Sequence, residues 1–371
     1  MSNCPLVENQ GSGYVIMGYA EGMRKKGHHV DLYGPEDFIP FPGIKAGYRL
    51  RLILGYTIRG LRSLLVKKYD VVELWGSEGC FTVGLARLLN LANDTIFIAR
   101  SNGIEPHCWE CTQKYEPRQQ LSFLTHFFYK VQNLDWVFRL CDGITLVSRF
   151  DKVYADRHGY RPHGGILVLD NPLKDDWLGM DYVPRKTVFI GFVGKWIERK
   201  GCSVMAKMIP ALMREMPDAV VWLAGVEQGD DILAEYQKHY GDRLMIYPYL
   251  SREELKELYL KTSILISPST YESFGMVVAE AMACGVAVVA TRTGYAWELV
   301  NGVDCFHMQF GDPAGGAEKV RLLWAEKTLL RNVQENGQMR VQALQWPANL
   351  ERLYAYYEKL FQETAVRSCI F

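Results

Sequence analysis

The chain has 371 residues, a length that fits two domains, each large enough for its own core. It is 49% hydrophobic and 23% charged, an ordinary globular composition, and Lys plus Arg equals Asp plus Glu at 42 each, so nothing in the overall charge argues for nucleic acid as a partner. No apolar run approaches the roughly 18 to 20 residues that cross a bilayer, no signal-peptide core stands at the N-terminus, and the nine cysteines are scattered, which together favour a reduced, cytoplasmic compartment.

The N-terminal elements open on Gly11-Ser-Gly13, followed by a helix-like stretch from Tyr14 to Lys26, then Gly27, then a strand from His29 to Tyr33. This is the glycine loop, helix and second strand of a Rossmann-like half. Gly11 and Gly13 also read as a plain tight turn. The buried first strand that should precede them is missing, because Met1 to Val7 is short and broken by Pro5. A parallel sheet without its central strand leaves two rows of backbone groups to satisfy, so an apolar stretch encoded upstream of Met1 is expected.

Residues 38–69 hold no acid and carry Lys45, Arg49, Arg51, Arg59, Arg62, Lys67 and Lys68 among Leu, Ile and Tyr. Two readings stand side by side. One is a basic amphipathic segment resting on an anionic membrane surface, at the inner face; the other is a surface helix packed on the sheet and weakened by Gly55 and Gly60.

Strands are expected at Val71–Leu74, Thr95–Ala99, Ile144–Ser148 and Ile166–Leu169, with helices at Gly79–Leu89, Gln119–Leu140 and Phe150–His158. Loops at the carboxyl ends of parallel strands line ligand crevices, so Arg100, Asn102, Glu105 and His107 after the second strand are acceptor-side candidates. Cys108 and Cys111 form the only C-x-x-C, which lacks a second pair for zinc and reads as two free thiols, with His107 beside it the one residue that keeps a metal reading open. Prolines and charges in 171–186 mark a linker.

The second half restarts with a strand at Val188–Val193. Gly194-Lys-Trp-Ile-Glu-Arg-Lys-Gly201 then leads into a helix, placing Lys195 and Lys200 where a diphosphate would be held. Strands follow at Val220–Ala224 and Leu244–Tyr247, then Tyr249-Leu250, then a capping box of Ser251 with Glu254. Residues 264–290 read as strand, loop, helix and strand. The helix spans Phe274–Cys284, and Glu272 and Glu280 flank its start. Free amides at a helix start suit a phosphate and carboxylates suit sugar hydroxyls, so the pattern describes a nucleotide-sugar site. A plainer reading makes Glu272 a cap and Glu280 a solvated helix residue. The tail, Asn349–Phe361, shows one apolar helical face.

Glu272-Ser-Phe-Gly-Met-Val-Val-Ala-Glu280 resembles the E-x7-E motif of retaining glycosyltransferases of family 4, which have the GT-B fold. The resemblance implies an α/β chain of two Rossmann-like domains facing across a cleft, residues 1–170 on the acceptor side and 171–345 binding the nucleotide-sugar, with a helix in 346–371 crossing back to the first domain. It implies that Glu272 contacts the transferred sugar and that Glu280 holds the ribose. The amides of Ser273, Phe274, Gly275, Met276 and Val277 would meet the diphosphate with Lys195 and Lys200, and Tyr249 and Leu250 the base. Gly11 and Gly13 would lie near the donor phosphate. Lys195 stands where the family usually has Arg, and Asn102 where some members have His; His107 reads either as the substitute or as a plain loop histidine. The resemblance implies hexose transfer with retention to a glycan, lipid or small acceptor. No Asp-x-Asp pair for a metal occurs in the sequence, and no cofactor beyond the nucleotide-diphosphate sugar is expected. The alternatives are an epimerase or phosphorylase on the same fold, and a non-catalytic sugar-nucleotide-binding or partner subunit.

Overall fold

The computed structural model describes residues 1–7, 11–40, 47–113, 135–185, 187–227 and 230–368. The chain divides into two compact units. One comprises residues 1–110, 118–171 and 347–371, the other 111–117 and 172–346.

The first unit holds a parallel sheet of β1 (Val71–Trp75), β2 (Ile96–Ser101), β3 (Gly143–Leu146) and β4 (Ile166–Val168), in that order. β2 is buried along its whole length, as a central parallel strand covered on both faces must be. Helices α1 (Gly11–Lys25), α2 (Tyr48–Val66), α3 (Gly79–Leu88), α4 (Glu105–Gln113), α5 (Trp136–Leu140) and α6 (Arg149–Arg157) accompany it. Ser148 caps α6 by accepting from Asp151 N. Of the long helix expected over Gln119–Leu140, residues 119–134 lie outside the described residues.

Expectations for the glycines and for one strand of this unit are corrected. Gly11 and Gly13 are not a loop but the first turn of α1, where a Cβ on Gly13 would stand 2.3 Å from Val7 O. His29–Tyr33 belongs to no sheet among the described residues. Met1–Asn3 lies between it and β1, with Ser2 bridging Trp75 and Ser2 N donating to Tyr33 O at 2.9 Å. Gly55 and Gly60 do not break α2. They allow close approach, a Cβ at Gly55 falling 2.1 Å from Phe38 O and one at Gly60 2.5 Å from Thr82 Cγ2.

The second unit is a six-stranded parallel sheet in the order β10-β9-β8-β5-β6-β7, where β5 is Phe189–Val193, β6 Val220–Ala224, β7 Leu244–Tyr247, β8 Ile264–Ser267, β9 Ala287–Thr291 and β10 Phe306–Met308. The chain enters at β5, winds outward through β6 and β7, then returns to β8 beside β5 and winds the other way. The neighbours β5 and β8 therefore flank the point where strand order reverses, the place where open parallel sheets bind ligands. Helix α7 (Cys202–Glu215) buries Met205, Met208, Ile209 and Leu212 against the sheet. The other helices are α8 (Asp231–Tyr240), α9 (Arg252–Lys261), α10 (Met276–Ala283), α11 (Pro313–Ala325) and α12 (Lys327–Val341). The capping box of Ser251 and Glu254 is present at the start of α9.

The last helix, α13 (Trp346–Ser368), belongs to the first unit from Pro347 onward. Tyr356 and Leu360 pack on Ile96 and Ile98. The Tyr356 hydroxyl accepts from Ile144 N at 3.0 Å and donates to Gly165 O at 2.7 Å, tying the helix to the edge of β3.

Candidate active site

The loop after β5 is shaped by two glycines. Gly194 has φ +152 and Gly201 has φ +81, and a Cβ on Gly201 would fall 2.3 Å from Pro268 O. Only glycine lets this turn approach the loop after β8 so closely. Thr270 N donates to Arg199 O at 2.9 Å and locks the two loops together. Adjacent strands thus place a cation and a carboxylate face to face: Lys200 Nζ lies 2.6 Å from Glu272 Oε1, and Ser269 Oγ donates to the same oxygen at 2.7 Å. Burial would raise the Glu272 carboxyl, but Lys200, Ser269 and Arg199 outweigh it and hold the group below its ordinary value.

Gly275, at φ +87, caps α10. A helix start leaves its leading amides without intrahelical partners, here those of Met276 and Val277, in a half-buried stretch that also includes Ser273 and Gly275. Phe274 contributes backbone only. Its ring is buried 5.2 Å from that of Tyr295, and its carbonyl accepts from Tyr295 N at 2.6 Å. A Cβ on Gly294 would strike that carbonyl at 2.3 Å, so the turn at Gly294–Trp297 can pack there only as glycine.

Glu280 is on α10, buried, with Arg252 of α9 at 3.7 Å. Burial raises its carboxyl, and Arg252 opposes the shift. A solvated helix carboxylate is therefore excluded. Lys195 is exposed, as is Tyr249, and Leu250 is half-buried. The structure brings together Lys200, Glu272 and the start of α10. Arg252 and Ser269 were not singled out in the sequence. Ser269 sits three residues before Glu272, a spacing that could have flagged it, whereas Arg252 reaches Glu280 only through tertiary packing.

In the first unit, His107 is on α4 rather than in a loop, and it is buried. Its Nδ1 is 2.7 Å from Asp151 Oδ1, and its ring stacks on Tyr154 at 4.4 Å. Asn102 is half-buried, with its Oδ1 enclosed and unbonded among the described residues. Burial, with Glu78 nearby, pushes the Glu105 carboxyl up to about 8.

Residues 182–340, within the second unit, match the family model described as Glycosyl transferases group 1. Over 348 residues the chain is 29% identical to an uncharacterized glycosyltransferase of Methanocaldococcus jannaschii, covering 85% of this chain and 86% of the relative. Among solved structures, sucrose-phosphate synthase from Thermosynechococcus elongatus superposes with TM-score 0.71 at 18% identity, over 95% of this chain and 94% of that one. HepE from Anabaena, in complex with UDP and glucose, does so with TM-score 0.68 at 15% identity, over 95% and 97%. Two parallel α/β units with these neighbours give the chain the GT-B fold.

Proposed function

We propose that the protein is a retaining, metal-independent glycosyltransferase that moves a hexose from a nucleotide-diphosphate sugar to a hydroxyl acceptor. One observation carries the reading: the Lys200–Glu272 pair stands at the switch point of the second sheet, Lys200 after β5 and Glu272 in the same short loop as the free amides that open α10. Lys200, with the exposed Lys195, neutralises the diphosphate, and the amides of 273–277 bind it. Charge that grows on the leaving phosphate as the glycosidic bond breaks meets Lys200. Glu272 orients the sugar through its hydroxyls. Glu280, held by Arg252, accepts the ribose hydroxyls, and Tyr249 with Leu250 borders the base. The leaving phosphate helps to deprotonate the acceptor, which attacks from the same face and so retains configuration. Asn102 and His107 are the acceptor-side residues of the first unit. The UDP and glucose in the Anabaena neighbour support a uridine donor as the first to try.

The same chain carries a surface suited to a lipid-linked acceptor. Helix α2 exposes Leu50, Leu54, Ile58 and Leu65 along one stripe, with Arg62 inside it and Lys67 and Lys68 at its end. An apolar stripe edged with cations fits an anionic membrane surface. No helix of the described residues is long and apolar enough to cross a membrane.

The test is a thermal-shift panel of UDP-, GDP- and ADP-sugars, followed by turnover of the donor that stabilises. A stabilising donor that is consumed, with the product's anomeric configuration unchanged, supports the reading. Stabilisation without any turnover in the presence of acceptors would make the chain a binding subunit.

A further inference from the structure

Glu280 sits inside α10 with its side chain 9% exposed, and Arg252 of α9 is its ion-pair partner at 3.7 Å. That distance is too long for a hydrogen bond. Burial and Arg252 are the two influences on the carboxyl, the first raising it and the second opposing the rise. No hydrogen bond to the carboxylate is made among the described residues. Buried carboxylates ordinarily collect several donors, so one with a cation nearby and open lone pairs is ready for a ligand that brings its own donors. A guanidinium in bidentate contact would fill the lone pairs that a diol needs. Arg252 supplies charge from 3.7 Å without taking that place.

Both ends of α9 fix Arg252. Ser251 and Glu254 form the capping box at the helix start, and Arg252 follows Ser251 directly. Two turns further along the same face, Tyr259 is fully buried. Its ring stands edge-on to Trp222 at 5.9 Å and to Trp177 at 6.1 Å, and its hydroxyl donates to Val277 O of α10 at 3.4 Å. Val277 and Glu280 are one turn apart, so each helix meets the other through one face. The remaining titratable groups around Glu280 stay neutral near pH 7. Burial, with Glu280 adding to it, raises Tyr259 well above its ordinary value. Cys284, one turn beyond Glu280, is raised to about 12, first by burial, and it is Cys284 that Lys256 of α9 and Arg185 and Asp176 of the segment before β5 act on. Helix α12 meets α10 through the uncharged Gln338, which donates to Ala283 O at 3.0 Å, and the turn at Gly294–Trp297 sets Tyr295 against Phe274. The charge of Glu280 therefore depends on Arg252.

We propose, resting on the donor reading above, that Arg252 is the positioning residue for the donor's ribose: it holds Glu280 as an open carboxylate that accepts the 2′- and 3′-hydroxyls together, and so makes the site choose a ribonucleotide over its 2′-deoxy counterpart. Two neighbouring hydroxyls can both donate to an ionised carboxylate, whereas a protonated one brings a donor of its own. A site built to bind a hydroxyl rejects the analogue that lacks it, because its own polar group is then left unpaired. Without Arg252, burial alone governs Glu280, and the carboxyl takes up a proton closer to neutral pH. Nucleotide affinity then rises with pH, by up to about tenfold per unit, until the group ionises.

Titration calorimetry on the full chain with UDP, ADP and GDP finds the tightest of the three, which is then compared with its 2′-deoxy form at pH 7 and pH 9. The proteins are the unaltered chain, Arg252→Met, Arg252→Lys, Glu280→Gln, and Arg252→Met combined with Glu280→Gln. Expressing each affinity relative to the unaltered chain at the same pH cancels titration of the nucleotide's own phosphate. The unaltered chain should prefer the ribose form at least about tenfold at both pH values. Arg252→Met should lose most of that preference at pH 7 and regain much of it at pH 9, while Arg252→Lys keeps it. In the Glu280→Gln background, adding Arg252→Met should change affinity by no more than about twofold and bring no pH dependence. An Arg252→Met protein with the full preference, or with a loss equal at both pH values, overturns the role of Arg252 and leaves the donor reading standing. Binding of none of the three diphosphates overturns the donor reading, and this role with it.

Discussion

Lys200 and Glu272 are 72 residues apart in the sequence and 2.6 Å apart in space, one following β5 and the other β8. Each is the other's counter-ion until a donor arrives. A diphosphate would draw Lys200 and a sugar hydroxyl Glu272, so the pair is held in position before substrate binds. We expect Lys200→Ala and Glu272→Ala each to lower turnover at least about a hundredfold. For Lys200→Ala the loss should fall on kcat more than on donor affinity. Initial rates beside calorimetry check this, and wild-type rates in both variants would sink the assignment.

Glu280 should behave differently. Its carboxylate is held by Arg252 and assigned to the ribose, so Glu280→Ala should weaken binding of the free nucleoside diphosphate itself. Titration calorimetry with UDP, or with whichever nucleotide stabilises the protein, reads this directly. Unchanged affinity removes the ribose role and leaves the Lys200–Glu272 assignment standing.

The two units should respond to pH in opposite senses. Glu272 is held below its ordinary value of 4.5, so its stabilising contribution is present above that value and is lost as pH falls through the folded-state pKa. Glu105 is raised from 4.5 to about 8. Its contribution is present at low pH and is lost as pH rises from 4.5 through about 8, because the unfolded chain releases the proton first. Urea unfolding at pH 5 and pH 8 should therefore show a decline that Glu105→Gln removes, and a decline that persists in Glu105→Gln would exclude this group as its source.

Gly201 tests the loop geometry. Gly201→Ala places a left-handed residue with its Cβ 2.3 Å from Pro268 O, and should cost about 2 kcal/mol or more and disturb the Lys200–Glu272 pair. Gly47, also left-handed at φ +63 but with nothing within 4 Å of an added Cβ, is the control. Gly47→Ala should cost about 1 to 2 kcal/mol and leave turnover unchanged. Chemical denaturation with rate measurements separates strain from collision.

Vesicle binding tests the α2 surface. Arg62→Glu with Lys68→Glu should reduce binding to anionic vesicles, and salt should reduce binding of the unaltered chain. Arg59 is a poor choice for this purpose, since its guanidinium lies 4.2 Å from the Tyr33 ring centroid and helps hold the unit together. Salt-independent binding, or none, would leave α2 an ordinary surface helix.

The sequence alone determined the alternation of buried strands and helices, because apolar runs and breaks are local, and it determined the acid pair at 272 and 280 with the cations at 195 and 200. Tertiary structure decided the rest. That Glu280 lies beside Arg252 depends on α9 and α10 meeting; that His107 pairs with Asp151 depends on α4 and α6 meeting. The glycines at 11 and 13 read as a loop because a local pattern cannot show whether a helix has already started. Gly55 and Gly60 read as weaknesses because sequence cannot show that Phe38 and Thr82 approach them. Strand order, and with it the switch point that joins Lys200 to Glu272, comes from pairing between segments far apart in the chain. No local propensity encodes such pairing.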